Sequence, residues 1–251
     1  MIFKTISAEC SHEKVLRKLF RANCAYDGPV VFDAPLMLIG FTNRCGSNLL
    51  AGYLRAAGGV AGFQEQLNHD VVAKLSRERG IESFPDYIRH VSKGTARHGF
   101  KAGVEQVAML HRLGITKMYP SVRVLQITRR DTLAQAVSFS IADQTKQWVS
   151  WQPRQSEPRY DRADIDRRLD WIALQNESMR VAAKVFGFSH GHVTYEDLVW
   201  TPGDVVTRAA RFFGLEPPEA LPEPKLIRQA DAVNAGFIQR YLDDVWLPQD
   251  R

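Results

Sequence analysis

Apolar and polar positions along the chain follow two alternating periods. Residues 36–41, Leu-Met-Leu-Ile-Gly-Phe, form a short unbroken apolar run after Pro35, the pattern of a strand buried on both faces. Val122 to Thr128 is a second such run, rich in β-branched residues. Phe100–Gly103 and His192–Tyr195 predict two further short strands. Between these runs the period becomes helical. Val15, Leu16, Leu19 and Phe20 share one side of a helix predicted over 13–24, which Asp27-Gly28-Pro29 ends. Leu50, Tyr53, Leu54 and Ala57 predict a helix that stops at Gly58-Gly59, and another is expected over 104–113. Asp131 caps a predicted helix carrying Leu133, Val137, Ile141 and Trp148. Leu169, Ile172, Asn176, Met179, Ala183 and Phe186 mark a long amphipathic helix from Asp166. Two more helices are expected, one carrying Val205, Ala209, Phe212 and Phe213 and a last one over 235–245. Residues 60–98, polar and weakly periodic, read as irregular and short helical segments beside a cleft, and 150–163 as an exposed loop. Strands alternating with helices predict an α/β fold with a parallel sheet flanked by helices.

Composition narrows the class. A chain of 251 residues suits one domain over 1–251, with 1–30 as a helical extension within it. Its 45% hydrophobic and 24% charged content excludes whole-chain disorder. The net charge of +5 is diffuse and forms no Lys/Arg run. It suits an anionic small ligand and not nucleic acid. Cys10, Cys24 and Cys45 make neither a disulfide framework nor a CxxC pair, so free thiols in a cytoplasmic protein are expected. Glu9, Glu13, Lys14, Arg17 and Lys18 interrupt any apolar leader. No stretch approaches the roughly 18–20 apolar residues of a transmembrane helix. His190-Gly191-His192 lacks further ligands, and no metal is expected.

The candidate chemistry sits where strands end. After the first run comes a polar loop with Arg44, Gly46, Ser47 and Asn48, opening a helix. Glycine lets the backbone approach an anion, and the helix start presents N–H groups and positive dipole. Arg44 adds charge. The loop lacks the Gly-Lys-Ser/Thr of a nucleoside-triphosphate loop, which disfavours a nucleotide or sugar kinase. The second strong strand ends in Arg129-Arg130, and Ser138 lies on the next helix. A strand-end arginine and a helix hydroxyl can share one phosphate. Arg130, eight residues before Ser138, is preferred, with Arg129 in reserve. Two anion sites on neighbouring strands suit a ligand with separate 5′ and 3′ phosphates.

These residues resemble a known family. Thr42–Leu50 resembles the 5′-phosphosulfate loop of sulfotransferases that use 3′-phosphoadenosine 5′-phosphosulfate (PAPS), with Cys45 where serine is usual. Arg129–Phe139 resembles their 3′-phosphate motif. Gly59-Val60-Ala61-Gly62 with Gln64-Glu65, Gln144–Trp148, Tyr195–Leu198 and Arg228–Asp231 follow the order of the bacterial trehalose 2-sulfotransferase type. The resemblance implies a P-loop-kinase-like sheet, PAPS as donor, 3′-phosphoadenosine 5′-phosphate (PAP) as product, and no metal. It implies transfer to a small carbohydrate or glycolipid acceptor, and is compatible with a homodimer. Arg44, Cys45, Gly46, Ser47, Asn48, Arg129, Arg130, Ser138, Arg228 and Gln229 would then bind the nucleotide, and Lys101 would contact the sulfuryl group or acceptor. An ungapped match places Gln66 at the family's catalytic glutamate, with Glu65 one residue earlier. Glu65 is the first candidate base and His69 the second. A PAP-binding protein without turnover is the alternative. Trp148 and Trp151 are candidates for stacking on a sugar.

Overall fold

The computed structural model describes residues 1–56, 60–149, 151–223 and 232–246. Among the described residues five strands form one sheet: β1 (Leu36–Phe41), β2 (Ala61–Gln64), β3 (His98–Ala102), β4 (Val122–Thr128) and β5 (Ser189–Thr194). Their order is β2-β3-β1-β4-β5, and every pairing is parallel. β1 is central, which explains its unbroken apolar run. Its side chains alternate between two cores: Leu36 and Leu38 join one, Met37 and Ile39 the other.

The first core is covered by α1 (Ile2–Ser7), α2 (Ser11–Phe20), α4 (His69–Arg79), α5 (Phe84–Ser92), α6 (Val104–Arg112) and part of α8 (Arg162–Val185). The second is covered by α3 (Ser47–Arg55), α9 (Tyr195–Trp200) and α10 (Pro202–Phe213). A smaller cluster joins α7 (Thr132–Thr145), α8 and α11 (Ala232–Trp246). Among the described residues no helix is long and apolar enough to cross a membrane.

Several elements depart from the sequence reading for identifiable reasons. Residues 60–98 are more ordered than their periodicity implies. β2 is an edge strand with only Phe63 buried. α4 and α5 are short, and their caps carry the signal that their periodicity lacks. Asn68 accepts from the Asp70 N–H and Ser83 from the Asp86 N–H. In α2 the buried face is Glu13, Leu16 and Phe20, while Val15 and Leu19 are partly exposed. Glu13 is held by Arg17 at 2.8 Å and Arg112 at 2.6 Å, which offsets the desolvation of its carboxylate. α7 ends at Thr145, before Trp148. α8 starts at Arg162, where the Asp161 side chain accepts from Asp164 N–H. Tyr195 opens α9, capped by Thr194, and does not extend β5. His190 and His192 hydrogen-bond across the sheet to Gln126 and Thr128 of β4, at 3.0 and 2.8 Å.

Candidate active site

Parallel pairing brings the carboxyl ends of all five strands to one edge, the usual place for ligands in such sheets. The segments carrying Arg44, Glu65, Gly103, Arg129 and Tyr195 all leave from that edge. Between β1 and α3 the loop holds two left-handed residues, Arg44 (φ 67°) and Gly46 (φ 88°). A non-glycine residue there is held at a cost. The cost is met by tethers: the Gln135 amide of α7 donates to Thr42 Oγ1 (2.9 Å) and Asn43 O (2.8 Å). Gly46 has a second reason to be glycine, because a Cβ would collide with the Tyr195 ring. Cys45 is fully buried, and burial pushes its thiol up, so it stays neutral in a serine-sized space.

Arg44 reaches across the loop. Its Nε donates to Ser138 Oγ at 3.0 Å and its Nη1 to Trp148 O at 2.7 Å. Burial first, then the charge of Arg129, pulls its pKa below the ordinary arginine value, though arginine remains a cation at any working pH. A guanidinium whose charging is made costlier by a neighbouring one is stabilised by an anion between them. Arg129 Nε is buried with no hydrogen-bond partner among the described residues, and its guanidinium lies 5.3 Å from the Tyr195 ring centroid. An orphaned buried donor beside a second guanidinium fits a phosphate.

Arg130 is engaged elsewhere. Its guanidinium pairs with Asp197 and lies 5.8 Å from the Trp200 centroid, and its N–H donates to Glu196 Oε2 at 3.0 Å. Spacing along the chain couples Arg130 to Ser138, whereas the geometry gives Ser138 to Arg44 and leaves Arg129 beside Tyr195 and Arg44. Arg228 and Gln229 lie outside the described residues, as do Ala57, Gly58 and Gly59.

The other half of the site centres on Lys101, on β3. Its side chain is 3% exposed, and Nζ donates to Glu65 Oε1 at 2.8 Å and to Asn48 Oδ1 of α3. The ammonium also lies 4.6 Å from the Phe41 centroid. The lysine thus joins the start of α3 to Glu65. A β-bulge sets this register. Gly62 pairs with Gly99 but Gln64 with Phe100, leaving Phe63 extra at φ 51°. Glu65 therefore follows in step with Lys101.

Gln66 turns away from this group. Its Oε1 is 2.9 Å from His98 Nε2, and its carbonyl accepts from the Tyr87 hydroxyl at 2.6 Å. Because Gln66 presents oxygen, His98 carries its proton on Nε2. Burial lowers the His98 pKa from 6.5 to about 4. The unfolded chain therefore takes up this proton first as pH falls. Stability is flat above 6.5 and declines between 6.5 and about 4, by up to roughly 3 kcal/mol from this group. His12, His111, His190 and His192 shift the same way. His98→Gln should lose less stability than wild type between pH 7.5 and 4.5 in urea melts. Equal losses would assign the slope to the other histidines.

Glu65 lines a cavity of about 520 Å³ together with Phe41, Asn43, Trp148, Trp171 and Gln175. A second cavity of about 570 Å³, beside Phe32, Ile81 and Arg89, shares no lining residue with it. Trp148 is on the wall of the first. Trp151 is not, and is 69% exposed. Trp171 escaped the sequence reading because it sits off the apolar stripe of α8. Tyr195 belonged to a recognised motif, but its closure on Gly46 is a tertiary contact. His69 is not on the wall and contacts His12.

A solved structure shares this architecture. The chain is similar to the "Sulfotransferase Domain from the Curacin Biosynthetic Pathway", with TM-score 0.52, 12% identity, 86% of this chain and 93% of that chain covered. A sulfotransferase from Alicyclobacillus acidocaldarius has TM-score 0.48 and 16% identity over 84% of this chain and 95% of that one. Mouse sulfotransferase SULT7A1 complexed with PAP has TM-score 0.46 and 11% identity over 95% and 73%. No curated protein sequence matches significantly. The description of the Stf0 sulphotransferase family matches residues 105–244, from α6 through α11. That stretch holds Arg129, Arg130 and Ser138 and exceeds half of the 251 residues, and so the chain belongs to the Stf0 sulphotransferase family.

Proposed function

We propose that the chain transfers a sulfuryl group from PAPS to a hydroxyl of a carbohydrate or glycolipid-type acceptor. The observation that carries this reading is Lys101, which contacts both Asn48 at the start of the phosphate-loop helix and Glu65 on the cleft wall. Donor and acceptor sides meet there. The loop from Arg44 to Asn48, with Arg129 and Ser138, would hold the nucleotide phosphates. Arg130, Arg228 and Gln229 complete the family's nucleotide motifs. The cleft wall, with two tryptophans and side-chain amides, suits a ring bearing hydroxyls.

In the reaction, the acceptor oxygen attacks sulfur as the bond from sulfur to the bridging oxygen breaks. The electron pair of that bond leaves with PAP, and the hydroxyl proton passes to Glu65. Arg44, Lys101 and the amides of Gly46 to Asn48 stabilise charge on the transferring group and the bridging oxygen. The reading requires no metal, since guanidinium and ammonium groups supply the positive charge. It treats the chain as one domain acting in the cytoplasm, as a monomer or homodimer. Glu65 beside Lys101 favours turnover over PAP binding alone, because Gln66 at the family's glutamate position is no longer the sole candidate.

PAP is expected to bind with micromolar or tighter affinity, and ATP with magnesium to compete poorly, because the loop has no Gly-Lys-Ser/Thr. Calorimetric titration decides this. Preference for ATP with magnesium would instead make the chain a kinase-like nucleotide binder.

A further inference from the structure

α2 delivers a histidine to the cleft. His12 lines the same 520 Å³ cavity as Glu65, Asn68 and Glu105. Its ring meets His69 at the start of α4, edge to face, with centroids 4.7 Å apart. The two Nδ1 atoms are 2.7 Å apart, and the His69 backbone N–H also donates to His12 Nδ1 at 3.3 Å. A nitrogen that accepts from a backbone N–H carries no proton. The hydrogen between the rings therefore sits on His69 Nδ1, and neutral His12 carries its own on Nε2. Burial and the adjoining His69 lower the His12 pKa, which favours that neutral form. Nε2 has no hydrogen-bond partner among the described residues.

Near His12 the cleft wall carries the Glu65 and Glu105 carboxylates beside the side-chain amides of Asn68 and Gln106. The Glu65 and Glu105 carboxylates receive hydroxyl hydrogens but cannot donate to a sugar oxygen. The His12 imidazole adds a donor whose direction is fixed by its contacts with His69. We propose that His12 is an acceptor-positioning residue, which donates from Nε2 to an oxygen of a polyhydroxylated acceptor, with His69 holding its tautomer. Helix α2 is then part of the acceptor site. The inference rests on the carbohydrate-acceptor reading above.

The test uses the full chain, ¹⁵N-labelled at histidine and saturated with PAP. Long-range ¹H–¹⁵N spectra should show His12 protonated on Nε2 and His69 on Nδ1, and titration with trehalose, a neutral disaccharide, should move the His12 Nε2 signal. His12→Ala should weaken trehalose binding about 3–10-fold, the value of one neutral hydrogen bond, and leave PAP affinity unchanged. His12→Gln places an amide N–H near the Nε2 position and should bind within about twofold of wild type, a rescue that a purely structural role does not predict. A His12 proton on Nδ1, unchanged trehalose affinity in His12→Ala, or equal loss of PAP affinity overturns the proposal. Wild type that binds PAP but not trehalose overturns the sugar contact, and wild type that does not bind PAP overturns the sulfotransferase reading beneath it.

Discussion

Glu65→Gln is expected to lower turnover about 10²–10⁴-fold while changing PAP affinity by less than about twofold. Glutamine is the informative replacement. It keeps an oxygen for the buried Lys101 ammonium, now 2.8 Å from Glu65, so the lysine is not left with Asn48 alone. What is lost is the ability to take a proton. Turnover near wild type would transfer the role to another group. Gln66→Glu is the matching control. It restores the family's residue at that number, yet its side chain faces His98. A carboxylate there would pair with the imidazole and favour its protonated form. It should therefore leave the Glu65→Gln defect uncorrected. Recovery of activity in the double variant would show that the loop can present residue 66 to the acceptor, and would remove Glu65 from the chemistry.

The legible parts of this molecule are those in which local pattern and tertiary role coincide. β1 and β4 read as strands because they are buried on both faces, so their composition alone reports their place. The loop between β1 and α3 reads as a loop because Gly46 must be left-handed and must admit the Tyr195 ring. β2 escapes because its edge position leaves one buried side chain, and its bulge breaks the period of two. That same bulge decides which of Glu65 and Gln66 meets Lys101, so the ungapped family match at this point could not settle the base. His12 is hidden for a different reason. On its own helix it is a polar residue beside the buried Glu13, and only the packing of α2 against α4 gives it His69 as a partner.

Arg129 and Arg130 pose the same problem at a strand end, and they carry the second large expectation. Arg129→Ala should weaken PAP by about 1.5–3 kcal/mol, about 10–150-fold, while AMP, which lacks the 3′ phosphate, loses much less. The motive is the buried Nε without a partner among the described residues, beside Arg44. Such a donor is costly to leave unpaired, and an incoming phosphate recovers that cost. Arg130 already has Asp197, 66 residues further along the chain than Asp131, and no spacing rule on β4 could have foreseen that pairing. Its pair is roughly half exposed, at 51% and 38%, so it is worth little either way. Arg130→Ala should therefore shift PAP and AMP affinities by similar small factors. Arg129→Lys separates charge from geometry: the ammonium keeps the charge but loses the planar fork, and recovery should be partial. Selective loss of PAP in Arg130→Ala, with Arg129→Ala indifferent, would return the 3′ phosphate to Arg130 and require the Asp197 pair to open when nucleotide binds.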